Sequence, residues 1–371
     1  MVERPLYRYD PDYAVPPGET LLETLEAMGM SQAELARRTD RPVKTINEII
    51  KGKASITPDT ATQLEIVLGV PASFWNNAER IFRERLARLE EKRRLERHSQ
   101  WLSGSGIPVR EMVKLGWIAR HRGKIDMTRA VLRYFGVTSP ESFEAIYGHS
   151  NATYRMSGAF EFSPGSLAAW LRRGEIEALS IRCGSFDKAR FAGVLAEIRK
   201  LSRTEPTDYP SEIQRLCAPA GVAVVYVPSL PNCPVSGAGR WLTSDKALIQ
   251  LSGRYRKDDH FWFTFFHEAA HIVIHNKDSK RAIFLDDKSW ETEAHKEKQA
   301  NRFASDMLIP RAQFKEIKEV VAAKKPDERL IEKMAADLGI CPGIIVGRLQ
   351  FEGLVPFESR LNRLKRDVEL G

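Results

Sequence analysis

Between Glu19 and about Leu68, short amphipathic segments alternate with turn signals, the pattern of one small helical domain. Ser31 precedes QAELARRT and Thr57 precedes PDTATQLEIVLG. Both are N-capping residue types, Pro58 stands at the first helical position where its missing donor costs nothing, and Gly69 follows as a helix stop. From Ala72 to about Arg97 there are few breakers, an apolar face at Ala78, Phe82, Leu86 and Leu89, and charge elsewhere, which predicts a long connecting helix. The next stretch, to about Thr204, places helical patterns such as SLAAWLRRGEIEAL and ARFAGVLAEIRKL between Gly and Pro turns, without a cluster of ligand residues.

At Gly221 the period changes. VAVVYV is a short β-branched run, and SGAGRWL and KALIQL follow as alternating or apolar segments, so a small sheet is expected. Helices are then predicted from about Lys257 to His275, from about Glu293 to Leu308 with a stop at Pro310, and onward to the C-terminus. Strands before helices give an α+β domain. The expected chain is multidomain and mainly α: a helix-turn-helix domain at 16–78, a connecting helix at 79–99, a helical middle domain at 100–205 and the α+β domain at 206–371.

Composition narrows the setting. A chain of 371 residues exceeds one ordinary core, which agrees with several domains. No apolar run is long enough to span a bilayer, and the N-terminal MVERPLYRYDPDYAVPPGE lacks the apolar stretch of a secretory signal, so the expectation is a cytoplasmic protein with no membrane partner. Cys183, Cys217, Cys233 and Cys341 form no Cys-x-x-Cys pair, which points to reduced thiols. The net charge of +8 suits a nucleic-acid partner once a DNA-reading element is identified.

The strongest chemical signal is FWFTFFHEAAHIVIH, an apolar helix whose polar exceptions are Thr264, His267, Glu268, His271 and His275. Residues four apart on a helix are offset by about 40° and rise about 6 Å, so the imidazoles of His267 and His271 can converge on one ion. Glu268 then stands beside that ion as a candidate general base. Two imidazoles and a carboxylate inside an aromatic helix are costly without a metal or a dense hydrogen-bond network. For a third ligand, Glu297 lies on the face of the next helix that carries Ala300, Ala304, Met307 and Leu308; Glu293 is the runner-up, and His295 lies off that face. His275 is some 12 Å along the axis from His267 and reads as a supporting residue. Tyr226, Tyr255, His260 and His275 all remain open as the transition-state donor.

HEAAHIVIH followed by EKQANRFASDMLIP resembles the ImmA/IrrE family of zinc metallopeptidases, a likeness that covers roughly the last 150 residues. The resemblance implies a zincin-like fold, Zn2+ as cofactor, and cleavage of a DNA-bound repressor. It assigns His267, His271 and the Glu of E-x-x-A-N, here Glu297, as ligands. SGAG before the helix suits either a plain turn or an edge on which a substrate strand pairs. A second helix pair near the C-terminus, IEKMAADLGICPGIIVGRLQFEGLVP, is expected to serve packing, and the basic tail RLNRLKRDVEL to be a solvated helical end.

MSQAELARRTDRPVKTINEIIKGKASITPDTATQLEIVLGV has the form of a helix-turn-helix, with Leu35, Ala36, Ile46 and Ile49 facing inward. Lys44, Thr45 and Asn47 on its second helix can reach base edges or phosphates, and Gln32, Lys51 and Lys53 the backbone. From about Pro16 to Asn77 the sequence is similar to the lambda-repressor-like fold in the HigA antitoxin branch of the XRE family. That likeness implies operator DNA bound by a homodimer, and a toxin as a further partner. Two functional readings stand: a DNA-binding regulator with a zinc-dependent endopeptidase domain that cleaves a repressor or another regulatory protein, or a non-catalytic antitoxin-like repressor whose zinc domain is structural or ligand-sensing.

Overall fold

The computed structural model describes residues 11–148, 163–254, 256–274 and 290–368, apart from the side chains of 290–294. The chain falls into two compact units, Met1–Ser99 and Gln100–Gly371.

The first unit consists of α1 (Pro17–Ala27), α2 (Gln32–Arg38), α3 (Val43–Ile50), α4 (Pro58–Leu68) and α5 (Ala72–Arg97). Capping starts α2 and α4 as the sequence indicates: Ser31 Oγ accepts the Glu34 N–H at 3.1 Å and Thr57 Oγ1 the Thr60 N–H at 3.2 Å. Gly69 ends α4 at φ +71°, a conformation that L side chains avoid. Leu21, Leu25, Leu35, Ala36, Ile46, Ile49, Leu64 and Trp75 form the core. On α5, Trp75, Glu79, Phe82 and Leu95 are buried, while Ala78, Leu86 and Leu89 are half-buried, so the inward stripe is rotated from the expected one. Glu79 is accommodated there by an ion pair with Arg83 at 2.7 Å.

The second unit is built on a mixed three-stranded sheet, order β1-β3-β2, from β1 (Val222–Tyr226), β2 (Gly237–Trp241) and β3 (Ala247–Leu251). β1 pairs parallel with β3 (Val224 opposite Ile249), and β2 antiparallel (Gly239 opposite Ile249). Alternate residues serve two cores, which is why β1 reads as a continuous apolar run. Val222, Val224 and Ile249 join the core that holds the histidine helix. Ala223, Val225 and Leu248 join a second core with helices from the preceding segment.

That segment contributes α6 (Val109–Lys114), α7 (Lys124–Phe135), α8 (Pro164–Ser180), α9 (Lys188–Leu201) and α10 (Tyr209–Cys217). α8 is bonded to the sheet: Trp170 Nε1 donates to Val227 O at 3.1 Å, and Gln250 Nε2 to Trp170 O at 2.6 Å. The boundary expected at 205/206 therefore lies inside one unit with shared cores.

After the sheet come α11 (Asp258–Ile274), α12 (Trp290–Leu308), α13 (Arg311–Ala323), α14 (Glu328–Leu338) and α15 (Pro342–Phe351). Ile331, Ala335, Ile345, Val346 and Leu349 put α14 and α15 into the core, in agreement with a packing role. The basic tail departs from expectation. It makes a 3-10 turn at Arg360–Leu364, then sends Lys365 and Arg366 to the start of α11, where Lys365 Nζ lies 2.7 Å from Asp259 Oδ2 and Arg366 Nε 3.2 Å from Asp258 Oδ2. Asp258 is fully buried, and a charge there requires a counterion. Among the described residues no helix is long and apolar enough to cross a membrane.

Candidate metal centre

Phe261, Trp262, Phe265, Phe266, Ala269, Ala270 and Ile272 bury most of the circumference of α11, which fixes the direction of its remaining polar residues. The Nε2 atoms of His267 and His271 are 3.1 Å apart. On α12 the carboxylate oxygens of Glu297 lie 3.3 Å from His267 Nε2 and 3.4 Å from His271 Nε2. These three residues offer ligand atoms all within 4.8 Å of one another, a set that suits zinc by donor type and leaves a position open. The helix-face argument placed Glu297 inward, whereas its side chain is 52% exposed; it meets both imidazoles from the solvent side.

The electrostatics follow from crowding. Burial works against charge on the His267 imidazole, but the hydrogen bond to Glu297 and the charges of Glu268 and Glu297 outweigh it and raise its pKa. The hydrogen bonds from His267 and His271 hold the Glu297 carboxyl well below the usual carboxylate range. Glu268 is moved the other way, upward, because burial dominates over the opposing His267 and His271 charges.

Glu268 sits under β2. A Cβ on Gly237 would lie 2.7 Å from Glu268 Cγ, and one on Gly239 2.5 Å from the Glu268 carbonyl oxygen. The glycines of SGAG are therefore required by the approach of β2 to α11, and the Gly239 N–H also bonds the Glu268 carboxylate.

Asn301 was missed by sequence reasoning. Its Oδ1 lies 3.0 Å from His267 Nδ1, the orienting contact that a ligating imidazole needs on its other nitrogen. Its spacing of four from Glu297 on the same helix was the available signal. Of the four candidate transition-state donors, Tyr226 is committed elsewhere: its half-buried hydroxyl donates to Pro210 O at 3.0 Å. His260 is seven residues before His267 on α11, and Tyr255 and His275 lie outside the described residues. The Glu293 side chain also lies outside them, and His295 is exposed and bonded to Gln299 at 2.9 Å.

In the first unit, Leu35, Ala36, Ile46 and Ile49 are all at most 2% exposed, which turns the opposite face of α3 outward. Lys44, Lys51 and Lys53 are exposed; Gln32, Thr45 and Asn47 are half-buried. Asn47 Nδ2 donates to Gln32 Oε1 at 3.3 Å, so these two candidates hold each other across the α2–α3 turn.

Two family models match this chain: residues 21–75 match the helix-turn-helix model, and residues 230–349 the IrrE N-terminal-like domain of the M78 peptidase family. The chain joins a helix-turn-helix domain to an IrrE-like domain. The helix-turn-helix domain is similar to YddM of Escherichia coli (strain K12), described as an uncharacterized HTH-type transcriptional regulator: 33% identity over 61 residues, 16% of this chain and 65% of that one. The chain thus spans about two thirds of that relative. A solved structure of an addiction module antidote protein of a HigA family, from Coxiella burnetii, shows 30% identity, covers 23% of this chain and 92% of its own, and gives a TM-score of 0.21. The metal-site cluster, with Glu297 and Asn301, lies within the IrrE-like match.

Proposed function

We propose that this chain is a DNA-binding transcriptional regulator whose IrrE-like domain is a zinc-dependent endopeptidase acting on a repressor or another regulatory protein. The observation that carries this is the meeting of His267, His271 and Glu297 beside a buried carboxylate, Glu268, that is not part of the cluster. His267, His271 and Glu297 would hold the zinc, with Asn301 orienting His267. When bound, zinc supplies a Lewis acid that polarises a peptide carbonyl and lowers the pKa of a water. Glu268 takes the proton from the attacking water and delivers it to the leaving amine. Its burial supports that role, since desolvation raises its pKa and so strengthens it as a proton acceptor. Among the described residues β2 is an edge strand in the order β1-β3-β2, so an extended substrate can pair along it, next to Glu268.

The test is the purified full chain, wild type and Glu268→Gln, incubated with candidate repressors after zinc analysis. Cleavage by the wild type alone supports the enzyme. Stoichiometric zinc with unchanged regulation in Glu268→Gln defeats it and favours the second reading, a non-catalytic antitoxin-like repressor with a structural or ligand-sensing zinc domain. The fusion to a helix-turn-helix domain, similar to an uncharacterized HTH-type transcriptional regulator, is what supports that alternative. In either reading operator DNA is the nucleic-acid partner, engaged through Gln32, Lys44, Thr45, Asn47, Lys51 and Lys53 by a cytoplasmic homodimer, with a toxin as a further partner.

A further inference from the structure

We propose that the second unit carries a DNA-contacting surface of its own, the basic loop and helix between Lys114 and Arg133, which holds the sugar–phosphate backbone of a duplex independently of its sequence. This rests on duplex DNA as the partner of the chain, and not on zinc or peptide hydrolysis.

The distribution of charge comes first. The helix-turn-helix domain at 16–78 contains eight carboxylates and six cations, although the whole chain has a net charge of +8. Attraction to a polyanion grows with the number of phosphates that cations neutralise, so this domain brings the exposed Lys44, Lys51 and Lys53 but no excess of positive charge. α5 adds cations, yet Arg80 and Arg88 are paired with Glu84, and Arg83 with Glu79. Alternating signs of that kind mark a solvated helix face. Between Lys114 and Pro140, by contrast, there are six cations and one carboxylate, Asp126. An excess of the kind that suits a nucleic acid therefore stands in the second unit.

Folding gathers these cations. Arg120, His121, Arg122 and Lys124 follow one another through the loop that leads into α7, and all are exposed. His121, Arg129 and Arg133 line one open groove with Arg172 of α8. Arg129 and Arg133 are four apart on α7, which puts them on the same face of that helix. Asp126 is taken up by Arg129 at 2.7 Å, and Arg172 is paired with Glu175 at 2.9 Å. Arg120, Arg122, Lys124 and Arg133 form no ion pair among the described residues. Like charges held together without counterions repel one another, and a row of phosphates relieves that repulsion.

The surface fits DNA better than a membrane. Among the described residues, none of the large exposed apolar side chains falls between 110 and 140, so the patch lacks the apolar anchors of a lipid-bound face. Because both units belong to one chain, a duplex held by the first is offered to the second at raised effective concentration.

The experiment uses the full chain and a fluorescein-labelled duplex of arbitrary sequence, with binding followed by anisotropy between about 50 and 200 mM salt. Arg120→Ala, Arg122→Ala, Lys124→Ala and Arg133→Ala combined are expected to lower affinity about tenfold or more. They should also reduce the slope of log K against log salt by roughly 2–4, since each lost phosphate contact removes about 0.9. A control removes equal charge elsewhere in the second unit, through Lys315→Ala, Lys324→Ala, Lys325→Ala and Lys333→Ala, all at exposed positions, and is expected to keep the wild-type slope. Circular dichroism of both variants should match wild type. A patch variant with the wild-type slope, a control that loses as much slope as the patch, or a wild-type chain that binds no duplex would each overturn the proposal. So would a patch variant that keeps the duplex but no longer binds vesicles of phosphatidylglycerol, which gives the cations to a membrane. Lys44→Ala with Lys51→Ala separates the two readings: if that pair leaves duplex binding unchanged while the patch variant loses it, the helix-turn-helix contacts fail and the second surface stands.

Discussion

In the helix-turn-helix domain the cations offered to a partner, Lys44, Lys51 and Lys53, stand exposed on a core they do not help to build. In the IrrE-like domain, by contrast, Glu268 is 8% exposed and the two histidines grow from a helix whose other faces are core. Binding at the first surface depends on long-range charge and late, flexible contacts, so chemistry and folding are separable there. At the second, burial raises the proton affinity of Glu268 while the hydrogen bonds and charges that packing forces on His267 and Glu297 shift theirs, so chemistry and packing are the same residues seen twice.

The largest expected effect tests the buried side. Glu268→Gln should lower cleavage of a protein substrate by about 10²–10⁴-fold, the range of a lost general base, and leave zinc content and operator affinity unchanged. A variant that also loses zinc would show that Glu268 holds the metal.

Next comes the charge clamp at the start of α11. Asp258→Ala leaves Arg366, itself 30% exposed, without its carboxylate, and should cost about 2–3 kcal/mol in the chemical denaturation of this domain, below the 3–5 kcal/mol of a fully buried pair. Operator binding measured on the same variant should not change. Asn301→Ala follows, with zinc affinity falling about 10–100-fold in a chelator competition while the helical signal is retained.

On the exposed side the effects are smaller and of another kind. Lys51→Ala should weaken operator binding about equally across sequences and reduce the salt slope of log K by roughly 1, as measured by fluorescence anisotropy over a range of salt. An unchanged slope would remove Lys51 from the phosphate contacts. Smallest is Ser31→Ala, which loses the bond to the Glu34 N–H and should cost about 1 kcal/mol of stability in the first unit alone.

Local chemistry explains what was legible in the chain. Caps at Ser31 and Thr57, the stop at Gly69, the strand runs and both helices of the candidate metal site are short-range features, and each is where its residues indicate. Two histidines four apart on a buried helix face can be read without a structure, because helical geometry alone brings them together. Elements whose environment comes from distant chain were less legible. Nothing in RLNRLKRDVEL says that Lys365 and Arg366 meet two buried acids more than a hundred residues earlier. Nothing in the α8 segment says that Trp170 will bond to Val227 across the sheet.

The sequence alone therefore specified the two chemical centres: a capped helix pair with an exposed basic face, and a His-Glu-x-x-His helix followed by a helix carrying the third donor. Both follow from periodicity and residue type within one or two turns. Long-range packing settled the rest. It set the half-exposed approach of Glu297, the contact of Asn301 with His267 and the glycines that bring β2 onto Glu268, because each depends on which distant surfaces bury one another.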